Sequence, residues 1–184
     1  MPEQRVDSDF AAADAPGIER YGCLFCRTGK EEKIIRELKA LKPEFSAMAP
    51  TKLRYRRHGQ DADEEWVRLF PGYVFFRTQD PRASVQDVRL LADVLRLLTY
   101  ADGRWELCGS DERIARMFFE EHGAVGMSKA YYEGDRIRIV DGFLKQYEGC
   151  ITRVNRRART AEIRVDFHGK IVTLWLGFEL IEET

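Results

Sequence analysis

Leu69-Phe70-Pro71-Gly72-Tyr73-Val74-Phe75-Phe76 is the stretch that decides the fold of this 184-residue chain. Proline and glycine shape a turn, and the apolar run that follows predicts a central β-strand covered on both faces. By strand alternation, Tyr73 and Phe75 point to the same face. The stretch holds more rings than one small sheet face can bury, so we expect some of them at the surface, where they suit a partner helix.

The preceding segment predicts a strand and a helix that pack on this central strand. Tyr21 to Arg27 reads as a strand, with Cys23 and Phe25 on one face and Leu24 and Cys26 on the other. A capping box of Thr28 and Glu31 then predicts the start of a helix. The apolar stripe of that helix is Ile34, Ile35, Leu38 and Leu41, and Pro43 ends it.

Further short elements complete an α+β core. The polar run from His58 to Glu65 predicts an exposed loop, because it is too long for a tight hairpin. Helices are predicted over 81–91 and from Ser110 onward, and Asp102-Gly103 predicts a hairpin turn. The short strands are predicted at 53–57, 66–70, 94–100 and 104–108.

A second decisive stretch runs from Glu133-Gly134-Asp135-Arg136 to Asp141-Gly142, followed by Gly149. The residues after it show no helical period, and five short strands with glycine-bearing turns predict a small β-barrel. The predicted strands cover 136–140, 149–154, 161–167, 170–175 and 178–181. The predicted organisation is therefore a disordered tail over 1–19, an α/β sandwich over 20–120, a linker over 121–130 and an SH3-like barrel over 131–184.

Composition excludes several functional classes. The formal net charge is −1, so the chain is not a strongly basic nucleic-acid-coating protein. No apolar run approaches the roughly 20 residues of a membrane span, and the first residues lack the pattern of a signal peptide. We therefore expect a cytoplasmic protein that does not bind a membrane.

Catalytic and metal sites are not predicted. Cys23 and Cys26 have the spacing of zinc ligands, but Cys108 and Cys150 are solitary and supply no second pair. The paired acids stand beside neither histidine nor apolar enclosure, and motifs for nucleophilic or phosphate chemistry are missing. The sequence thus predicts a binding protein without catalytic residues, metal or cofactor.

Both decisive stretches, in this order and at this separation, resemble the NusG family of transcription elongation factors. The Phe-Pro-Gly-Tyr entry resembles that of the family's N-terminal (NGN) domain, and the Gly-Asp start resembles that of its C-terminal KOW barrel. The resemblance spans about residues 21 to 182. It implies that an apolar depression on the first domain binds the clamp helices of the RNA polymerase largest subunit. By position, the contacting residues would be Tyr21, Phe70, Pro71, Tyr73 and Phe75.

The barrel carries a basic turn that indicates RNA binding. Nine Lys or Arg residues stand against four Asp or Glu between 136 and 170. Guanidinium groups bind phosphate through paired hydrogen bonds and stack on unpaired bases. The candidate RNA-binding residues are Phe143, Lys145, Tyr147, Arg153, Arg156, Arg157, Arg159, Arg164, His168 and Lys170. Tyr147 matches the second aromatic of the family's loop, whereas Phe143-Leu144 stands where a Pro-Phe pair is usual.

Among NusG proteins, the chain looks most like the specialised LoaP-type antiterminators, which bind a leader RNA hairpin. A monomer that contacts polymerase and nascent RNA is the expected form. One alternative is a housekeeping NusG that couples polymerase to Rho or to a small-subunit ribosomal protein. The other is an RNA-binding, ribosome-associated protein whose barrel only resembles KOW.

Overall fold

The computed structural model describes residues 18–58, 61–80 and 82–181, so most of the predicted tail over 1–19 lies outside the described residues. It is a mixed fold with two helices and three sheets, in which strands dominate. Neither helix within this part of the chain is long and apolar enough to cross a membrane. Residues 18–125 are called the N-terminal part below.

A four-stranded sheet forms the centre of the N-terminal part. Its strands are β1 (Arg20–Cys26), β2 (Ser46–Met48), β5 (Tyr73–Thr78) and β6 (Val94–Leu97), in the order β2-β5-β1-β6. Strands β1 and β5 are antiparallel, with Cys23 opposite Phe75 and Leu24 opposite Val74. The predicted central strand after the Pro-Gly turn is confirmed.

Helix α1 (Glu31–Leu41) covers one face of this sheet. Leu24, Cys26, Val74 and Phe76 pack there against Ile34 and Leu38, and all six side chains are buried. Leu41, which was predicted to belong to the apolar stripe, is 43% exposed. The predicted capping box is wrong, because the N-cap is Lys30 and no side chain caps the helix.

Helix α2 (Ser110–Glu120) lies on the opposite face of the sheet. Cys23 and Phe75 pack there with Ile114, Met117 and Phe118. Cys23 and Cys26 therefore lie on opposite faces of β1, as predicted, and neither thiol is exposed. Burial raises the pKa of Cys23 well above its ordinary value and that of Cys26 to about 11. Cys108 and Cys150 are exposed.

The predicted strand at 53–57 and most of that at 66–70 are confirmed, but both extend into the run from His58 to Glu65, which was predicted as a loop. Strands β3 (Thr51–His58) and β4 (Asp61–Arg68) pair antiparallel, and β7 (Ala124–Val125) adds to β3 in parallel. Arg54 lies opposite Glu65 and donates two hydrogen bonds to its Oε2 atom, at 2.9 and 2.8 Å. Such cross-strand charge pairs support a strand that hydrophobic alternation does not reveal.

Two other predictions in the N-terminal part differ from the structure. The predicted helix over 81–91 is only a 3-10 turn from Asp87 to Leu90, although Val85 and Val88 are buried as expected. Residues 104–108 do not form a strand. The turn over Asp102-Gly103 is present, since the amide of Gly103 donates to the carbonyl of Tyr100 at 2.9 Å.

The C-terminal sheet has five strands. They are β8 (Ser128–Glu133), β9 (Arg136–Asp141), β10 (Ile151–Asn155), β11 (Thr160–Phe167) and β12 (Lys170–Leu180), in the order β10-β11-β12-β8-β9. The last two predicted strands form one continuous strand, β12, and its end pairs with β8 in parallel. The interval 121–130, predicted as a linker, contains β7 and the start of β8.

Candidate functional site

The turn Phe70-Pro71-Gly72-Tyr73 is fixed by backbone hydrogen bonds. The amide of Tyr73 donates to the carbonyl of Phe70 at 3.1 Å, and that of Cys26 donates to the carbonyl of Gly72 at 2.8 Å. Gly72 has a φ of 82°, and a Cβ atom there would lie 3.1 Å from the carbonyl oxygen of Cys26. Only glycine meets both conditions without strain. Pro71 is exposed at the outside of the turn.

Glu31 anchors this turn from the first residue of α1. Its Oε1 atom accepts a hydrogen bond from the amide of Gly72 at 2.7 Å, and the side chain is buried. Burial acts to raise the pKa of Glu31, but hydrogen bonds from the backbone of Gly72, Glu31 and Gly29 hold the pKa below its ordinary value. Sequence reasoning assigned this glutamate to helix capping and missed its contact with the turn.

We expect Glu31→Ala to destabilise the protein by about 1–3 kcal/mol, because the buried amide of Gly72 loses its acceptor. Glu31→Gln keeps an acceptor oxygen and should lose less. Since the pKa of Glu31 is lowered in the folded chain, its contribution is complete at neutral pH and is lost as pH falls through that pKa. Urea denaturation at several pH values measures both effects. Equal stability losses for the two variants would contradict the anchoring role.

Five rings form the ring cluster: Phe70, Tyr73, Phe75, Phe118 and Phe167. Phe70 lies at its centre, with ring centroids 6.1 Å from Tyr73, 5.7 Å from Phe75 and 5.5 Å from Phe118. The interplanar angles are between 67° and 87°, the edge-to-face arrangement that aromatic pairs favour. Phe70 and Phe75 are buried, and Tyr73 is half-buried.

Phe167 belongs to the C-terminal sheet and enters the ring cluster from outside the N-terminal part. Its centroid lies 5.6 Å from Phe70, 6.3 Å from Tyr73 and 5.4 Å from Phe75. The rings expected at the surface are therefore covered, and this is a correction to the sequence-based expectation. Nothing in the local pattern distinguishes a ring buried by its own sheet from one buried by a segment about a hundred residues later.

Tyr21, the remaining predicted contact residue, is also buried. Its ring centroid lies 5.7 Å from that of Phe119, and its hydroxyl donates a hydrogen bond to Glu19. Burial raises the pKa of Tyr21 above its ordinary value. Tyr21 therefore supports the sheet next to the ring cluster and does not face solvent.

A buried carboxylate beside the ring cluster links the N-terminal part to the C-terminal sheet. Asp111, at the start of α2, accepts a hydrogen bond from the backbone amide of His168 at 2.9 Å. It also accepts one from the hydroxyl of Tyr100 at 2.6 Å, and the ring of Tyr100 lies 5.0 Å from that of His168. Since His168 directly follows Phe167, the turn after β11 is held by both apolar and polar contacts.

The aromatic residues predicted to bind RNA are also engaged inside the protein. Phe143 is buried and stacks on Phe118 at 5.6 Å with an interplanar angle of 7°. Tyr147 stacks on Phe143 at 5.4 Å, and burial raises the pKa of Tyr147 to about 12. The prediction that Phe143 is an exposed contact residue is wrong, because Phe118 of α2 covers one face of its ring and Tyr147 covers the other.

The basic residues predicted to form one RNA-binding cluster are distributed over two ends of the C-terminal sheet. Arg153, Arg156, Arg157 and Arg159 are exposed on β10 and the following turn. His168 and Lys170 lie at the other end of β11, about 23 Å away along the strand, beside the N-terminal part. Arg164 is exposed between the two ends, with its Nε atom 3.5 Å from Glu162.

Besides Arg164, two more of these basic side chains have partners within the protein. The guanidinium of Arg156 lies 4.4 Å from the ring centroid of Tyr132 and 3.2 Å from a carboxylate oxygen of Asp135. Lys145 donates to the carbonyl of Ile139 at 2.7 Å. Within the described residues, Arg153, Arg157 and Arg159 form no salt bridge. Among these residues, the exposed arginines without an acidic partner therefore lie on β10 and in the β10–β11 turn.

Comparisons with known proteins place the chain in a family. The model of the family described as "Transcription termination factor nusG" matches residues 20–118. The transcription termination/antitermination protein NusG of Borreliella burgdorferi is 20% identical over 125 residues, covering 63% of this chain and 68% of the relative. A solved structure described as "Domain interaction in Thermotoga maritima NusG" is 18% identical, covers 86% of this chain and 93% of that chain, and superposes with a TM-score of 0.48. Because the family model matches more than half of the chain, this protein belongs to the NusG family of transcription factors.

Proposed function

We propose that this chain is a nonenzymatic transcription elongation and antitermination factor, and that the ring cluster binds the clamp helices of the RNA polymerase largest subunit. The observation that carries the proposal is the position of Phe167. It fills a hollow lined by Phe70, Tyr73 and Phe75, where an apolar side chain of a polymerase helix would fit equally well.

Binding of polymerase then requires the C-terminal sheet to leave the ring cluster. In this proposal residues 20–120 form an NGN domain, residues 131–184 form a KOW-type barrel, and 121–130 connect them. The released NGN domain bridges the nucleic-acid cleft and favours the active polymerase over the paused one, through its higher affinity for the active state. The tethered barrel stays near the emerging RNA at raised local concentration. The factor acts as a monomer in the cytoplasm.

Tyr73 offers the sharpest test, because it is only half-buried, whereas Phe70 and Phe75 are fully buried in the core. We would measure binding of a polymerase fragment that contains the clamp helices, in a background where Phe167→Ala weakens docking. Tyr73→Ala should lower the affinity about tenfold or more, as truncation of an aromatic anchor does. Tyr55→Ala is the matched control, since Tyr55 is an exposed tyrosine on another sheet. Equal effects of the two changes, or no binding to the released protein, would reject the proposal.

In the same proposal, the β10–β11 turn contacts nascent RNA. Arg153, Arg157 and Arg159 are exposed and form no salt bridge with the acidic residues that the structure describes. Clustered guanidinium groups of this kind bind phosphates. A leader hairpin would be the preferred ligand of a LoaP-type factor. The alternatives are a housekeeping NusG, whose barrel contacts Rho or the ribosome, and a ribosome-associated RNA-binding protein.

Arg153→Ala with Arg157→Ala should weaken binding of leader-hairpin RNA by roughly tenfold or more and reduce the salt dependence. Fluorescence anisotropy at several salt concentrations measures both. The control is Arg36→Ala with Arg82→Ala, which removes the same charge from two exposed positions of the N-terminal part. If the two double variants lose affinity equally, net charge and not the turn governs binding. Equal weak binding to every RNA would favour the housekeeping alternative, because phosphate contacts do not read sequence.

A further inference from the structure

Strand β6 forms an edge of the central sheet and contributes no residue to the ring cluster or to the β10–β11 turn. It pairs with β1 on one side, where Leu97 lies opposite Leu24 and Arg96 opposite Phe25. On its other side, no strand of the described chain pairs with it. The backbone of an edge strand can pair with another extended chain, and proteins commonly use this for peptide recognition.

Two leucines are exposed at this edge. Leu95, in β6, is 54% exposed, and Leu90, at the end of the preceding 3-10 turn, is 80% exposed. An open hollow of about 280 Å³ lies along this segment. It is lined by Arg89, Val94, Leu95, Arg96, Leu97 and Thr99. An exposed leucine in the hollow and a second one beside it can contact apolar side chains of a partner strand.

The charge of the rim identifies the kind of partner. Arg89 and Arg96 are exposed, and neither forms a salt bridge with the acids that the structure describes. The nearby acids are already paired: Asp93 with Lys33 at 2.6 Å, and Asp87 with Lys42 at 3.0 Å. The two free guanidinium groups therefore favour carboxylates on the partner. The lining of the hollow contains no ring on which a base could stack, and this favours a polypeptide over single-stranded RNA.

We propose that the β6 edge binds an extended acidic segment of a partner protein as an added β-strand. In this arrangement, alternate apolar side chains of the segment contact Leu95 and Leu90, and the carboxylates between them pair with Arg89 and Arg96. The site shares no residue with the ring cluster or the β10–β11 turn, and the proposal does not depend on the function proposed above.

The test uses the full isotopically labelled chain and a synthetic peptide of alternating glutamate and valine, with a lysine and valine peptide for comparison. The acidic peptide should shift the backbone amide signals of residues 94–97, with an affinity that falls as salt increases. Leu95→Asp should weaken binding by roughly tenfold or more, and Arg89→Ala with Arg96→Ala should have a similar effect. Ile171→Asp is the control, because Ile171 is 68% exposed on the C-terminal sheet.

Three results would overturn the proposal. The first is equal binding of the lysine and valine peptide, which would show that charge does not select the partner. The second is a set of shifts confined to another edge strand, such as β4 or β10. The third is an equally strong response of residues 94–97 to a single-stranded RNA oligonucleotide. Since Leu95 is exposed, its variant should keep the circular dichroism spectrum of the parent, and any loss of binding can be assigned to the edge.

Discussion

Phe167→Ala is expected to raise the affinity of the protein for a polymerase fragment with the clamp helices by about a hundredfold. Phe167 is buried, and its ring fills the hollow between Phe70, Tyr73 and Phe75. Removing a buried phenylalanine costs about 3–5 kcal/mol. If about 3 kcal/mol of that loss weakens the contact between the C-terminal sheet and the ring cluster, the equilibrium between docked and released forms shifts by about two orders of magnitude.

The measurement compares fragment binding by the parent, Phe167→Ala and Ile171→Ala. Ile171 lies on β12 near the same turn but is exposed, so its replacement should leave the affinity unchanged. Amide spectra of the free proteins report docking directly, because the signals of residues 70–75 should move only in Phe167→Ala. A folded Phe167→Ala protein with unchanged or lower affinity would contradict the view that this ring competes with polymerase.

Phe118→Ala is expected to cause a large loss of stability, about 3–5 kcal/mol, and to separate the N-terminal part from the C-terminal sheet. Its ring lies 5.5 Å from Phe70, 5.2 Å from Phe75 and 5.6 Å from Phe143. It therefore joins the central sheet to the 3-10 segment Phe143–Cys150, which connects β9 to β10 of the C-terminal sheet. Denaturant unfolding measures the stability, and the amide signals of residues 143–147 report the contact with that segment.

The adjacent Phe119 provides a matched control on the same helix. It is also buried, but it packs against Tyr21 at 5.7 Å and beneath the guanidinium of Arg77 at 4.8 Å, within the N-terminal part. Phe119→Ala should lose stability without changing the signals of residues 143–147. If both variants changed those signals equally, the special role of Phe118 in joining the sheets would be wrong.

The central strand and the two helices could be predicted because their signals are local. The apolar run from Tyr73 to Phe76 and the helical spacing of Ile34 and Leu38 each depend on a few neighbouring residues. The hairpin of β3 and β4 was predicted only in part: strands were expected at 53–57 and 66–70, but their extension into the polar run from His58 to Glu65 was not. Its strands are supported by cross-strand pairs such as Arg54 and Glu65, and a polar strand resembles a loop when only hydrophobic alternation is considered.

The candidate site was predicted only in part, for a different physical reason. Phe70, Tyr73 and Phe75 do converge with one another, but Phe167 and Phe143 approach them from a distant segment. Propensity and periodicity contain no information on such tertiary contacts. The role of Glu31 was missed for the same reason, since Gly72 is 41 residues away in sequence.

The distribution of the four cysteines makes the separation of the two parts directly measurable. Cys23 and Cys26 are buried, and their raised pKa values keep them as unreactive thiols, whereas Cys108 and Cys150 are exposed. One accessible thiol thus lies before α2 and the other directly before β10. The natural chain can carry a donor and an acceptor dye at these positions, and energy transfer between the dyes would follow opening in single molecules.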